Sequence, residues 1–262
     1  MTSRASGRRI AAATITLAVS ILALAPAAAS AEPKRGGTLT IGTEAEFNGF
    51  NHRKARIFNQ NTSTPASAVM ETLFAYEGQN IVPRLGLEFT EAPDRLSAVV
   101  TLRQGVKFHD GTPFNADAVV HHYNWVLAPD SGINSSMMSS IEKVEKVDDH
   151  SVRFVLKSPW TALRSVLALE HLLNFIGSPT AIQNDPEGFH RKPVGTGPFV
   201  FKEWRAGDSV TMERNPQYWD SSLPYLDRVI YRVLPDGNTR YQSIKSGEVD
   251  IGRMDEIGRA HV

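Results

Sequence analysis

Ser140 and Lys143 stand three residues apart, the Ser-x-x-Lys spacing with which a lysine base activates a serine nucleophile, and Lys245-Ser246-Gly247 resembles the Lys-Thr-Gly of the same acyl-enzymes. That chemistry needs the serine at a helix start and the lysine one turn along, deprotonated in a dry pocket. Lys143 instead sits among Glu142, Glu145 and Lys146 in a strand-like stretch, and no Ser-Asp-Asn follows. His109, His121 and His122 are the other chemically capable group. Adjacent helical side chains point about 100° apart, so His121 and His122 do not share one ion, and no His-x-x-x-His pair exists. No Gly-x-Ser-x-Gly, phosphate loop or dinucleotide fingerprint occurs. The sequence therefore predicts no catalytic residue, no metal site and no cofactor, and a periplasmic serine acyl-enzyme stands only as the alternative of another class.

The elements around these residues are well marked. Gly36 to Gly42 is a short strand between glycines, followed by a polar loop from Thr43 to Asn61. Ser63-Thr64-Pro65 opens a helix through Leu73-Phe74, with Pro65 in its first turn. Ser97–Leu102 is a strand. Asn115 caps a helix carrying Asp117 in its first turn and Val119, Val120, Tyr123, Val126 and Leu127 at helical spacing. Ile141–Val147 and Val152–Leu156 form a strand pair about Asp148-Asp149-His150, Ser158-Pro159-Trp160 begins a helix, and Leu172–Ile176 is a short strand. From Pro193 to Asp220 come a glycine turn, a hairpin about Ala206-Gly207-Asp208 and an aromatic plug; Gly195 and Gly197 offer positive φ there. Asp227–Leu234, a helix capped by Asp236 and closed by Gly247, and Val249-Asp250-Ile251 make a βαβ unit, so part of the sheet is parallel.

Composition sets the compartment. With 41% hydrophobic and 21% charged residues the chain buries a real core. Arg4, Arg8 and Arg9, the apolar run Ile10–Leu24 and Ala29-Ser30-Ala31 spell a secretion signal cleaved after Ala31, by the general route rather than the twin-arginine one. Cysteine is absent, which excludes disulfides and thiolate sites and suits a periplasm. Cleavage removes three arginines and no acids, leaving 25 basic against 28 acidic residues, a net of −3. That balance gives no case for nucleic acid or an anionic membrane. Ile257–Val262 matches a translated sequencing adapter, so residues 257–262 are expected to be a non-native tail on an N-terminal fragment.

Four motifs occur in order: Lys34-Arg35-Gly36-Gly37-Thr38-Leu39; Leu102 to Val119, which contains Val106-Lys107-Phe108-His109-Asp110-Gly111-Thr112-Pro113-Phe114-Asn115-Ala116-Asp117; Val194-Gly195-Thr196-Gly197-Pro198-Phe199; and Asn215-Pro216-Gln217-Tyr218-Trp219-Asp220. Together they resemble the extracellular solute-binding proteins, family 5, which serve ABC importers of peptides, nickel and related solutes. The resemblance runs from Arg35 to about Ile251. It implies an α/β (mixed α+β), periplasmic-binding-protein type II-like, two-lobed fold with an extra inserted domain. The first lobe would be 32–75 with 195–256, the inserted domain 76–194, and the second lobe would follow this fragment. The implied function is capture of short peptides for a membrane ABC permease by a periplasmic monomer; nickel, haem or an oligosaccharide is the alternative solute within the family. Ligand contacts are implied at Arg56, Ile57, Phe58 and Asn59 and at Ser136, Met137 and Met138. Phe58 would supply an apolar wall, Arg56 a carboxylate partner, and Met137-Met138 an adaptable surface. Phe50-Asn51-His52 departs from the family's usual Leu-Asp-Pro in this loop.

Overall fold

Side chains alternating at period two build both sheets of this protein. In Ser97–Leu102 the buried positions are Ala98, Val100 and Leu102, and in Ser151–Leu156 they are Val152, Phe154 and Leu156. The computed structural model describes residues 33–51, 53, 60–129, 138–170 and 173–253. In chain order the elements are β1 (Thr38–Thr43), α1 (Gln60–Val69), β2 (Phe74–Glu77), β3 (Asn80–Pro83), β4 (Gly86–Glu91), β5 (Ser97–Leu102), α2 (Ala116–Leu127), β6 (Ile141–Asp148), β7 (Ser151–Leu156) and α3 (Leu163–Leu167). There follow α4 (Pro179–Asn184), β8 (Phe199–Arg205), β9 (Ser209–Arg214), β10 (Arg228–Val233), α5 (Gly237–Ser246) and β11 (Ile251–Gly252).

A five-stranded sheet runs β11-β1-β10-β9-β8, so it joins the first strand to those after residue 198. A four-stranded antiparallel sheet runs β4-β5-β7-β6, and β2 and β3 pair as a hairpin. β1 is parallel to both β10 and β11, so the β10-α5-β11 crossover spans β1 as the βαβ pattern predicts. Each sheet has its own core. α2 lays Val119, Tyr123 and Val126 against the four-stranded sheet, while Phe50, Val69, Met70, Phe199 and Met212 fill the core of the five-stranded one. Trp125 and Val194 pack against both cores.

The predicted helix caps are in place. Asn115 Oδ1 accepts from Ala118 N at 3.1 Å, Asp236 Oδ1 accepts from Thr239 N at 2.8 Å, and Gly247 ends α5 with φ 78°. Asp117 pairs across to Lys146 at 2.8 Å. Several expected bounds shift; the helix expected from Ser158-Pro159-Trp160 begins only at Leu163, as α3. α1 stops at Val69 rather than at Leu73-Phe74, and Pro65 lies inside it rather than in its first turn. The Val69 carbonyl, which a longer helix would give to Leu73 N, accepts instead from Gly197 N at 2.9 Å, so a tertiary partner claims it. The strand expected at Leu172–Ile176 reduces to one bridge, Glu71 with Ile176; Leu172 lies outside the described residues.

Of the helical histidines, His122 serves this packing. His122 is fully buried, and its Nε2 lies 2.9 Å from the Leu173 carbonyl. Burial lowers its pKa from 6.5 to about 4, so the fold favours neutral imidazole. The stability it contributes is complete above 6.5 and lost as pH falls toward about 4. The urea unfolding midpoint is accordingly expected to drop across that window; a flat midpoint there contradicts the assignment.

Candidate functional site

The carboxyl ends of the parallel strands β1, β10 and β11 share one edge, at Thr43, Val233 and Gly252. Ligands of open sheets with parallel strands bind beyond such an edge. One buried guanidinium builds it. Arg240, wholly inaccessible on α5, donates to the carbonyls of Leu234 (2.7 Å), Pro235 (2.8 Å) and Arg253 (3.0 Å), the residues that follow β10 and β11. Leu234 N also donates to Thr43 O at 2.8 Å, which continues the ladder to the edge.

The loop after β1 is pinned before it reaches the predicted contacts. Phe47 and Phe50 are buried with ring centroids 4.3 Å apart, and Phe47 meets Trp204 at 5.3 Å. Asn51, which departs from the family's usual wording, is buried; its Nδ2 donates to Pro186 O at 2.9 Å and its Oδ1 accepts from Arg53 N at 2.8 Å. That Asx turn directs the chain toward residues 54–59. The Arg53 guanidinium lies 5.8 Å from the Trp125 ring centroid on α2, the helix that leads into residues 130–137. Arg56, Ile57, Phe58, Asn59, Ser136 and Met137 themselves lie outside the described residues. Met138 is described, and its side chain is fully buried in the core of the four-stranded sheet rather than on a surface.

At the opposite end of the sheet, where β8 starts beside the end of β9, is a junction whose partners the sequence did not suggest. Glu71, 7% exposed, accepts from Thr196 Oγ1 (2.9 Å), Tyr218 OH (2.7 Å) and Trp219 Nε1 (2.9 Å), so one carboxylate joins the end of α1 to the glycine turn and the aromatic plug. Burial raises its pKa, and the hydrogen bonds from Tyr218, Trp219 and Thr196 and the charge of Arg84 oppose that rise without cancelling it. From the other side, His109 Nε2 lies 3.0 Å from the Gly197 carbonyl, and His109 N donates to Gly195 O at 2.8 Å. Burial lowers the His109 pKa, which keeps the ring neutral there. Neither Gly195 nor Gly197 has positive φ. They are needed because a Cβ at Gly195 would sit 2.1 Å from the Val69 carbonyl oxygen. The only signal in the sequence for this hub was Glu71 as a lone acid in an apolar stretch.

The residues singled out for acyl-enzyme or metal chemistry do not assemble. Lys143 Nζ is ion-paired to Glu145 Oε1 at 2.5 Å, and the hydrogen bond to Glu145 raises its pKa, the opposite of what a general base needs. Ser246 Oγ donates to the Ser243 carbonyl at 3.1 Å. His109 and His122 each engage a separate backbone carbonyl.

The family model of the bacterial extracellular solute-binding proteins, family 5 Middle, matches residues 80–258. This chain belongs to that family. The family's members are solute-binding components of transport systems. The oligopeptide-binding protein AppA of Bacillus subtilis is 32% identical over 231 residues, covering 84% of this chain and 41% of AppA. The glutathione-binding protein GsiB of Salmonella typhi is 37% identical over 163 residues, covering 61% of this chain and 31% of GsiB. The solved structure of AppA in complex with a nonapeptide superposes with a TM-score of 0.76 at 31% identity, covering 83% of this chain and 44% of that one. The chain thus spans well under half the length of these relatives. The mixed α/β fold expected from the sequence is the fold of these two-lobed binding proteins. Among the described residues no helix is long and apolar enough to cross a membrane.

Proposed function

We propose that this protein captures short peptides outside the cytoplasmic membrane and delivers them to a membrane ABC permease, with no bond chemistry. The observation that carries this reading is the match to AppA, in sequence along 84% of the chain and in fold at a TM-score of 0.76. A secretion signal over residues 1–31, cleaved after Ala31, would deliver the mature monomer to the periplasm. Residues 32–75 with 195–256 form the first lobe and 76–194 the inserted domain. The strand order supports that division, because β1 shares its sheet with β8–β11 and the strands β4–β7 form the other. The solute meets Arg56, Ile57, Phe58 and Asn59 on the loop after β1, and Ser136 and Met137 on the segment after α2. The rest of the relatives' length, which these residues do not span, supplies the other half of a cleft that closes on the solute.

Thermal stabilisation of the full-length mature protein by a panel of dipeptides, oligopeptides, metal ions and sugars tests the reading. A binder at 100 times its dissociation constant adds about 2.7 kcal/mol to stability, so a peptide hit shifts the melting temperature by several degrees. Stabilisation by a metal or a sugar with none from any peptide would sink the peptide assignment.

A further inference from the structure

Asn48 and Gly49 form the only Asn-Gly step in the sequence, and asparagine is a thermolabile residue. The step lies in the loop after β1, between the buried rings of Phe47 and Phe50. The fold demands glycine at 49: its φ is 98°, and a Cβ there would lie 2.1 Å from His190 Cε1. Asn48 is exposed, and among the described residues its side-chain amide has no hydrogen-bond partner. Gly49 N likewise donates to no acceptor among them. An electrophilic amide carbon and a backbone nitrogen with no Cβ to shield it are therefore adjacent and uncommitted. Other asparagine amides are held. Asn51 Nδ2 donates to Pro186 O at 2.9 Å, Asn174 Nδ2 to Val166 O at 2.7 Å and Asn215 Nδ2 to Gly197 O at 3.1 Å. Both Asp-Gly steps are held too, since Asp110 Oδ1 accepts from Thr112 N at 3.0 Å and Asp236 Oδ1 from Thr239 N at 2.8 Å.

We propose that Asn48 is a self-modification site, at which the folded chain converts its own asparagine to aspartate and isoaspartate. Gly49 N attacks Asn48 Cγ. The new C–N bond displaces Nδ2, which leaves as ammonia with the Gly49 proton, and a cyclic succinimide remains. Water is the one co-reactant. Its attack at Cγ gives aspartate, and its attack at the Asn48 main-chain carbonyl gives isoaspartate, linked to Gly49 through Cγ. Either product adds a negative charge close to Glu44 and Glu46 in sequence. Isoaspartate also inserts a methylene into the main chain between Phe47 and Phe50. Their ring centroids are 4.3 Å apart and Phe47 meets Trp204 at 5.3 Å, so the longer chain disturbs a close-packed aromatic cluster. The inference goes beyond the solute-capture reading and does not depend on it.

Timed incubation of the full-length mature protein in mildly alkaline buffer, followed by tryptic mapping and mass spectrometry, tests the proposal against a synthetic peptide of residues 36–53. Asn48 in the folded protein is expected to gain the mass of amide-to-acid conversion, as a chromatographic doublet of aspartate and isoaspartate. Its rate should lie within about thirtyfold of the free peptide's, the modest protection that a locally weak segment provides. Asn51, in the same tryptic fragment, should keep its amide while the protein stays folded. Asn48→Gln should abolish the conversion, because the extra side-chain methylene disfavours ring closure, and should leave the melting temperature unchanged. Aged protein should melt below the Asn48→Asp variant, which carries the charge without the inserted methylene. Conversion of Asn48 slower than that thirtyfold limit, conversion of Asn51 at the same rate, or a mass gain in this fragment that persists in Asn48→Gln would overturn the site. Equal melting of the aged protein and Asn48→Asp would overturn its effect on the packing.

Discussion

Gly195→Ala is expected to cost about 4 kcal/mol of stability, at the upper end of what single substitutions do, and about 8–16 °C of melting temperature. The new Cβ would sit 2.1 Å from the Val69 carbonyl oxygen and 2.8 Å from Met70 Cα. These are backbone atoms, so no side-chain rotation relieves the contact. Moving the turn would break the Gly197 N–Val69 O bond at 2.9 Å and strain the His109 N–Gly195 O bond at 2.8 Å. Gly197→Val fails for the same reason, with Cβ 2.6 Å from the Val69 carbonyl carbon. Both variants should lose folding before they alter solute choice. A Gly197→Val protein with a normal melting temperature and no binding would contradict that architectural role.

Glu71→Ala should cost about 3–5 kcal/mol, because removing one member of a buried charged network leaves its partners unpaired. Trp219 Nε1 can only donate and loses its acceptor at 2.9 Å, while Thr196, 1% exposed, loses the one at 2.9 Å. Arg103, whose guanidinium carbon stands 4.0 Å from the Trp219 ring centroid, loses a fixed platform as well. Glu71→Gln should be milder, since its amide oxygen still accepts and its amide nitrogen can donate to the Thr196 or Tyr218 hydroxyl. The two forms also differ with pH. Burial raises the Glu71 pKa, so its stabilisation is complete below the unfolded-state value near 4.5 and is lost as pH rises through the folded value. Wild type should therefore gain on Glu71→Gln as pH falls, read as a widening gap between chemical unfolding midpoints. A gap independent of pH would mean that Glu71 does not titrate in the fold.

What the sequence disclosed tracks how local the deciding interactions are. Asn115, Asp236 and Gly247 punctuate helices through bonds that reach only a few residues, and each was legible. The hairpin of β8 and β9 was equally plain from its period-two pattern about Ala206-Gly207-Asp208. The end of α1 was not, because Gly197 N, which takes the Val69 carbonyl, arrives from more than a hundred residues along the chain. The glycine turn was recognised by its wording, yet its reason was missed: closeness to Val69, rather than positive φ, demands glycine there. The Glu71 hub was invisible for the same cause, since Thr196, Tyr218 and Trp219 are 125, 147 and 148 residues away. For the solute site, the pattern identified strands, and only the parallel register of β1 with β10 and β11 places their carboxyl ends on one edge. The loops expected to touch solute carry no periodicity of their own, which is why they came from the family resemblance.

The central claim is peptide capture, and titration calorimetry of the full-length mature protein with short unmodified peptides tests it most directly. Saturable binding at one site per molecule is predicted, with a negative heat-capacity change as the cleft closes over apolar surface. No heat with any peptide from two to nine residues, from a protein that melts cooperatively and binds another solute, would contradict it.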